Sequence, residues 1–412
     1  MAQVSSTVSP YSQYGLGVLA EQSQGFNRAM GGLSMGLRDG KLVNFQNPAS
    51  YSAVDSLTML FDMGLSGQIT HYEEKGKKLN ANTGNFDYGV GLFRLFPKIG
   101  VSFGIVPYSN IGYEYSSQQS VGNSADVVTE THQGSGGFSQ AFVGIGWEFL
   151  KGFSVGANVS YFWGRYDKSV SLVSSDAYVN TQTKTYSSSV SSYKIDLGLQ
   201  WQQALNKDNM LTVGAAVGIG HDLGAEATLV TATTSTDATL TPDTMRVDKA
   251  FSLPFTFGVG ATLVHKQRLT VGLDYQLQKW GSLKYPMLNE ATNRYENMSG
   301  LMNDRHKFVA GLDWIPDPNP MNRKFFRRIH YRLGASYATP YYNIQGADGP
   351  KEFSLSAGFG IPLVNSWGNR TVLNISAQWV HASASSLVTE NSFRINIGLT
   401  FNERWFAKWK VD

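Results

Sequence analysis

The chain has 412 residues, of which 42% are hydrophobic and 16% charged, with a net charge of +3 and no cysteine. So few charges argue against a disordered chain and against a typical cytosolic enzyme, and a charge of +3 is too small to point to nucleic acid. No window reaches the ~20 consecutive apolar residues of a membrane-crossing helix, but a mean hydropathy of -0.21 leaves open a β-barrel, whose lipid-facing and lumen-facing residues average out.

Residues 1–50 are rich in Ser, Gly and Gln and show no sustained alternation. They read as compact irregular structure with one or two short helices. Met1-Ala2-Gln3 lacks the basic and apolar regions of a signal peptide; Ala2-Gln3 reads as the remnant of a cleavage site, and export is expected.

From Leu57 the pattern changes. Leu57, Met59, Phe61, Met63 and Leu65 alternate with more polar neighbours, the period of a strand with two unlike faces. Comparable runs begin near Phe86, Val101, Ala141, Phe153, Tyr193, Leu211, Phe255, Leu269, Phe308, Tyr331, Phe353, Leu373 and Phe393. The last is the cleanest: Phe393, Ile395, Ile397, Leu399 and Phe401 face one way, Arg394, Asn396, Gly398 and Thr400 the other.

The connections sort by length. Pro97-Lys98-Ile99, Lys151-Gly152, Asn206-Lys207-Asp208, Lys266-Gln267 and 366–369 are short, with 316–328 on the same side; 71–84, 116–138, 166–190, 222–250, 281–305, 339–351 and 383–391 are long. Short turns at one end and long loops at the other, with an even strand count, are the signature of outer-membrane barrels. The expectation is an all-β fold: a 14-stranded antiparallel transmembrane β-barrel in a bacterial outer membrane, both termini periplasmic. Trp147, Phe149, Phe153, Trp163, Trp201 and Trp280 read as interfacial aromatics, and the Ser/Thr/Asn-rich loops as solvated surface. Asp62, Asp87, Glu148, Lys194, Asp196, Asp274, Asp313, Arg332 and Arg394 share the inward face. They are expected to form an internal network that holds residues 1–50, since a wall of this size encloses more space than its own side chains fill.

Gly32-Leu33-Ser34-Met35-Gly36 has the spacing of a hydrolase nucleophile elbow but neither its strand nor its helix, and reads as chance. The seven histidines show no metal-ligand spacing. No catalytic residue, metal or cofactor is expected.

Asn47-Pro48-Ala49, with Arg28-Ala29-Met30-Gly31-Gly32 upstream, resembles the FadL family of outer-membrane transporters for fatty acids and other hydrophobic compounds. The third strand, Gly104 to Tyr115, is also similar to the kinked strand of that family. The resemblance implies an N-terminal hatch (1–50), with Asn47, Pro48 and Ala49 closing it, inside a barrel (51–401). It further implies a lateral gap at Pro107, Tyr108, Asn110 and Gly112. Pro107 removes a ladder donor and Gly112 relaxes the backbone, which suits a gap on physical grounds too. The implied function is passive transport of a hydrophobic small molecule with lateral release into the bilayer. The alternative is a non-transporting subunit, because fourteen-stranded relatives also serve in secretion and barrel-assembly complexes of Bacteroidetes. The chain departs from the family after Phe401: Trp405, Phe406 and Trp409 recur beside Lys408 and Lys410, an interfacial anchor or docking tail (402–412). Expected partners are outer-membrane lipid and lipopolysaccharide, a hydrophobic ligand and other outer-membrane or periplasmic proteins, but no nucleic acid.

Overall fold

The computed structural model describes residues 9–403 apart from 57, 121–125, 177, 236–241, 320–323, 345, 365–369 and 385–386. Fourteen strands form one antiparallel ring. They are β1 (Met59–Glu74), β2 (Lys77–Phe96), β3 (Ile99–Ser120), β4 (Val127–Leu150), β5 (Phe153–Ser174), β6 (Thr181–Ala204) and β7 (Asn209–Gly218). β8 (Phe255–His265), β9 (Leu269–Lys279), β10 (Arg305–Trp314), β11 (His330–Ala338), β12 (Lys351–Val364), β13 (Arg370–Ser383) and β14 (Thr389–Glu403) complete it. The ring closes at β1, where Phe61 lies opposite Gly91 of β2 and Phe401 of β14. Closure removes the open edges of a sheet.

The alternation places large apolar side chains outside and polar ones inside. Leu65, Val143, Leu273 and Leu333 are exposed on the outer wall, while Asn158, Gln200, Asn374 and Asn396 are buried within. That is the reverse of a water-soluble sandwich and the pattern of a wall facing hydrocarbon. At the short-turn end Trp147, Phe149, Phe153 and Trp201 stack in sequence, with neighbouring ring centroids 6.0, 6.5 and 6.1 Å apart.

Trp280 does not belong to that belt. It is fully buried and packs 4.7 Å from Tyr341. Its neighbours correct the reading of the long loops as solvated surface. Phe138, Phe162, Phe251, Trp280 and Tyr341 join Tyr11 and Leu16 of the N-terminal segment in one apolar core at the long-loop end. The loop strand Ala227–Thr234 pairs with the upper part of β6, and Asp243–Val247 pairs with it in turn.

Residues 9–54 cross the interior. They form two short 3-10 turns, Pro10–Gln13 and Pro48–Ala53, and one helical turn, Gly25–Arg28. Nearly every residue from 23 to 36 is buried.

Candidate functional site

The Asn-Pro-Ala stretch is built to start a turn. The Asn47 carboxamide caps the turn by accepting from the Ala49 N–H at 3.2 Å. Pro48, whose missing N–H costs nothing at the first position, opens it. The Asn47 amide nitrogen then donates to the carbonyls of Met35 at 2.8 Å and Leu199 of β6 at 3.3 Å. The turn rests on a floor of inward-facing glycines from adjacent strands: Gly100, Gly146, Gly156, Gly198 and Gly214. A Cβ at any of them would overlap the backbone or side chain of Met35, Asn47, Pro48 or Tyr51. These glycines make room for residues 35–51.

The inner charges divide into those that hold this segment and those that hold each other. Arg28 lies 2.5 Å from Asp87 and donates to Asn396 at 3.1 Å and to the Ser23 carbonyl at 3.2 Å. Arg38 meets Glu148 at 3.0 Å and Arg394 meets Glu21 at 3.4 Å. Lys194 pairs with Asp196, and Arg332 with Asp313 at 3.5 Å. Asp62 and Asp274 form no ion pair among the described residues. Asp62 accepts from the Tyr88 hydroxyl at 3.0 Å, and Asp274 accepts the backbone N–H groups of Ser34 and Met35 at 2.6 and 2.9 Å. The serine of Gly32-Leu33-Ser34-Met35-Gly36 is therefore held by a carboxylate of the wall.

Glu21, in the N-terminal segment, responds to two opposed influences. Burial pushes its carboxyl up, but the cations Arg28, Lys307 and Arg394 outweigh this and hold it below its ordinary value of 4.5. A depressed carboxylate contributes stability above the unfolded pKa and loses it as pH falls through the folded one. Acidification from about pH 5 downward is therefore expected to weaken docking of the segment. Glu21→Gln should flatten that dependence, read as protease release of the N-terminus against pH.

Pro107, Tyr108, Asn110 and Gly112 come together at an interruption of the wall. The ladder between β2 and β3 runs from Phe96 opposite Ile99 to Gly89 opposite Ile105 and stops there. Both strands carry an irregularity just beyond: β2 slips at Asp87 against β1, and β3 slips at Tyr108 against β4. The freed edge of β3 is taken up from inside. Val18 and Leu19 pair with Asn110 and Ser109. Ala20 donates to the Tyr108 carbonyl and Ser9 to the Gly112 carbonyl, each at 2.9 Å. The Gln22 amide reaches the Pro107 carbonyl at 2.6 Å.

Behind the interruption lies a cavity of about 210 Å³. Thr83, Asn85, Phe86 and Asp87 of β2, Pro107, Tyr108 and Asn110 of β3, and Glu21 and Arg28 of the N-terminal segment line it. Six glutamines face it, among them Gln276, Gln278 and Gln378, together with Arg305, Lys307, Glu352 and Glu390. Sequence reasoning missed these last four. The signal was present, since they occupy inward positions where their strands approach the long-loop end. Trp405, Phe406 and Trp409 lie outside the described residues.

No curated protein matches the chain. The toluene transporter TodX of Pseudomonas putida is a similar solved structure, with 15% identity, 94% of this chain and 100% of that one covered, and a TM-score of 0.64. The toluene transporter TbuX of Ralstonia pickettii follows at 16% identity, 92% and 98% coverage and a TM-score of 0.63. A FadL homologue of Pseudomonas aeruginosa stands at 11%, 93% and 98%, and 0.61. At these identities the likeness is one of fold. The family model BamG matches residues 1–412. The chain belongs to the BamG family.

Proposed function

We propose that this chain is an outer-membrane barrel with a sealed lumen that works as a subunit of an outer-membrane protein complex, of the secretion or barrel-assembly kind, rather than as a conduit. In this reading residues 1–50 are a hatch, 51–401 the membrane wall, and 402–412 a periplasmic docking tail. The observation that carries it is the aromatic core at the long-loop end, where Phe162, Phe251 and Trp280 are buried to within 1% of full exclusion, as a seal over the lumen requires. The cavity below is lined by polar and charged groups about as much as by apolar ones, whereas a site for an apolar ligand is mostly apolar. Membership of the BamG family supports the same reading. Purification in mild detergent tests it. Stoichiometric outer-membrane or periplasmic partners are expected, and deletion of 404–412 should remove at least one. A chain recovered alone at every detergent strength would sink the proposal.

One observation favours a second reading. The ladder between β2 and β3 is interrupted, which suits a portal in the wall, and the monoaromatic hydrocarbon channel CymD and the toluene transporter TbuX share the fold. Passage of a hydrophobic small molecule with lateral release would suit that portal, since its hydrocarbon surface would not return to water. Under this reading Pro107→Val combined with Gly112→Ala regularises β3 and abolishes uptake of a monoaromatic probe while the barrel still folds. Under the subunit reading the wild-type chain gives no uptake above the background of a strain lacking it.

A further inference from the structure

One row of the sheet runs across the wall of the cavity. Lys307 of β10 lies opposite Ala338 of β11, which lies opposite Glu352 of β12; Glu352 lies opposite Ala382 of β13, which lies opposite Glu390 of β14. All five residues line the cavity. The two alanines leave open space between three charged side chains, because nothing longer than a methyl group fills their positions.

Pairing within the cavity leaves one charge of each sign over. Arg28 is taken by Asp87, Arg394 by Glu21, and Arg305 by Glu352 at 3.1 Å. Lys307 makes no hydrogen bond or ion pair within 4 Å among the described residues and acts on Glu21 only at longer range. Glu390 accepts the Ser9 hydroxyl at 2.6 Å and has no cationic partner there. Gln378, 4% exposed and on the cavity wall, has a buried amide oxygen with no donor. A confined cation and anion at opposite ends of one row, with an orphaned acceptor on the same cavity wall four residues along β13 from that row, fit a ligand of the opposite polarity.

We infer that the cavity binds a zwitterion carrying a phosphate and a primary ammonium, of the phosphoethanolamine type. Lys307 takes the phosphate. Glu390 and the Gln378 carbonyl take the ammonium hydrogens, which a trimethylated nitrogen lacks. Residues of β2 and β3 beside their interrupted ladder line the cavity, and in this proposal a lipid headgroup enters there from the side while its acyl chains stay in the bilayer. A soluble phosphoethanolamine compound shares the same chemistry. Occupancy is independent of the proposed role in a complex, and failure of either leaves the other standing.

Native mass spectrometry of the full chain in detergent tests the site, with phosphatidylethanolamine, phosphatidylcholine and phosphatidylglycerol added at equal concentration. One phosphatidylethanolamine should be retained, and each of the other two should bind at least about tenfold more weakly, the worth of one lost charged hydrogen bond. Lys307→Met and Glu390→Gln should each weaken retention by a similar factor. Lys307→Gln serves as a second variant, and gel mobility with and without heating confirms that each variant is folded. Displacement by free phosphoethanolamine would identify the headgroup alone as the ligand, and retention in its presence would identify the lipid. Equal retention of all three lipids, no retention at all, or folded variants that bind as the wild type does would overturn the assignment.

Discussion

Arg28→Met is expected to be the most damaging single substitution in the N-terminal segment, costing roughly 3–5 kcal/mol. The guanidinium is 2% exposed and bridges three places: Asp87 of β2, Asn396 of β14 and the Ser23 carbonyl of its own segment. Methionine matches the volume but leaves the Asp87 carboxylate uncompensated inside the ring, and an unpaired buried charge is the costly outcome of breaking such a pair. The double variant Arg28→Met with Asp87→Asn should recover a large part of the loss, because it removes the orphaned charge. The measurement is the temperature at which the folded gel band converts to the unfolded one. A change of a degree or two in the single variant, or no recovery in the double, would show that the pair does not anchor the segment.

The second large effect is expected at the glycine floor. Gly156→Val drives a branched side chain into the Pro48 backbone, and Gly214→Val does the same to the Met35 carbonyl. Overpacking a rigid neighbour typically costs about 1–3 kcal/mol, and backbone yields less than a side chain. The ring has its own ladder and should persist, so the strain should be relieved by undocking residues 35–51. Limited proteolysis should then cut the N-terminal segment in the variants and spare it in the parent. Gly67→Val on β1 is the control, since a Cβ there meets nothing within 4 Å. Cleavage in the control, or protection in both floor variants, would refute the role given to the floor.

The outline of the wall was legible because its signal is periodic. Fourteen runs alternate, and chain order and loop length together fix an antiparallel meander. The loop core was not legible for the same reason. Phe251, Trp280, Tyr341 and Tyr342 stand singly among polar neighbours, and no period marks them as buried. Trp280 follows directly on an amphipathic strand, so it read as an interfacial residue, but the chain turns inward there and its indole donates to Gln278 at 3.1 Å. Asn47-Pro48-Ala49 could be read only through its resemblance to the FadL family, and the cap that it forms came with the structure. Asp87 and Glu148 could be placed on the inner face from alternation, but not assigned to Arg28 and Arg38, because their partners come from a stretch with no repeat. The cavity was hidden for a related reason. Lys307, Glu352 and Glu390 lie on three different strands, and only the lateral register puts them in one row.

The bonds from the first residues to the last strand set an order of events. Ser9 bonds to Glu390 and Arg28 to Asn396, partners 381 and 368 positions apart. Neither bond can form until synthesis and delivery of the chain are nearly finished. The segment made first is thus among the last to find its place, and its apolar side chains must be sheltered in the meantime. Such long sequence separations slow folding, because the entropy of closing the loop is spent before any contact repays it. A chain stopped before Thr389 would lack β14, one of the two partners of β1, and its amino-terminal residues would have lost these anchors, a state that quality-control proteases can recognise.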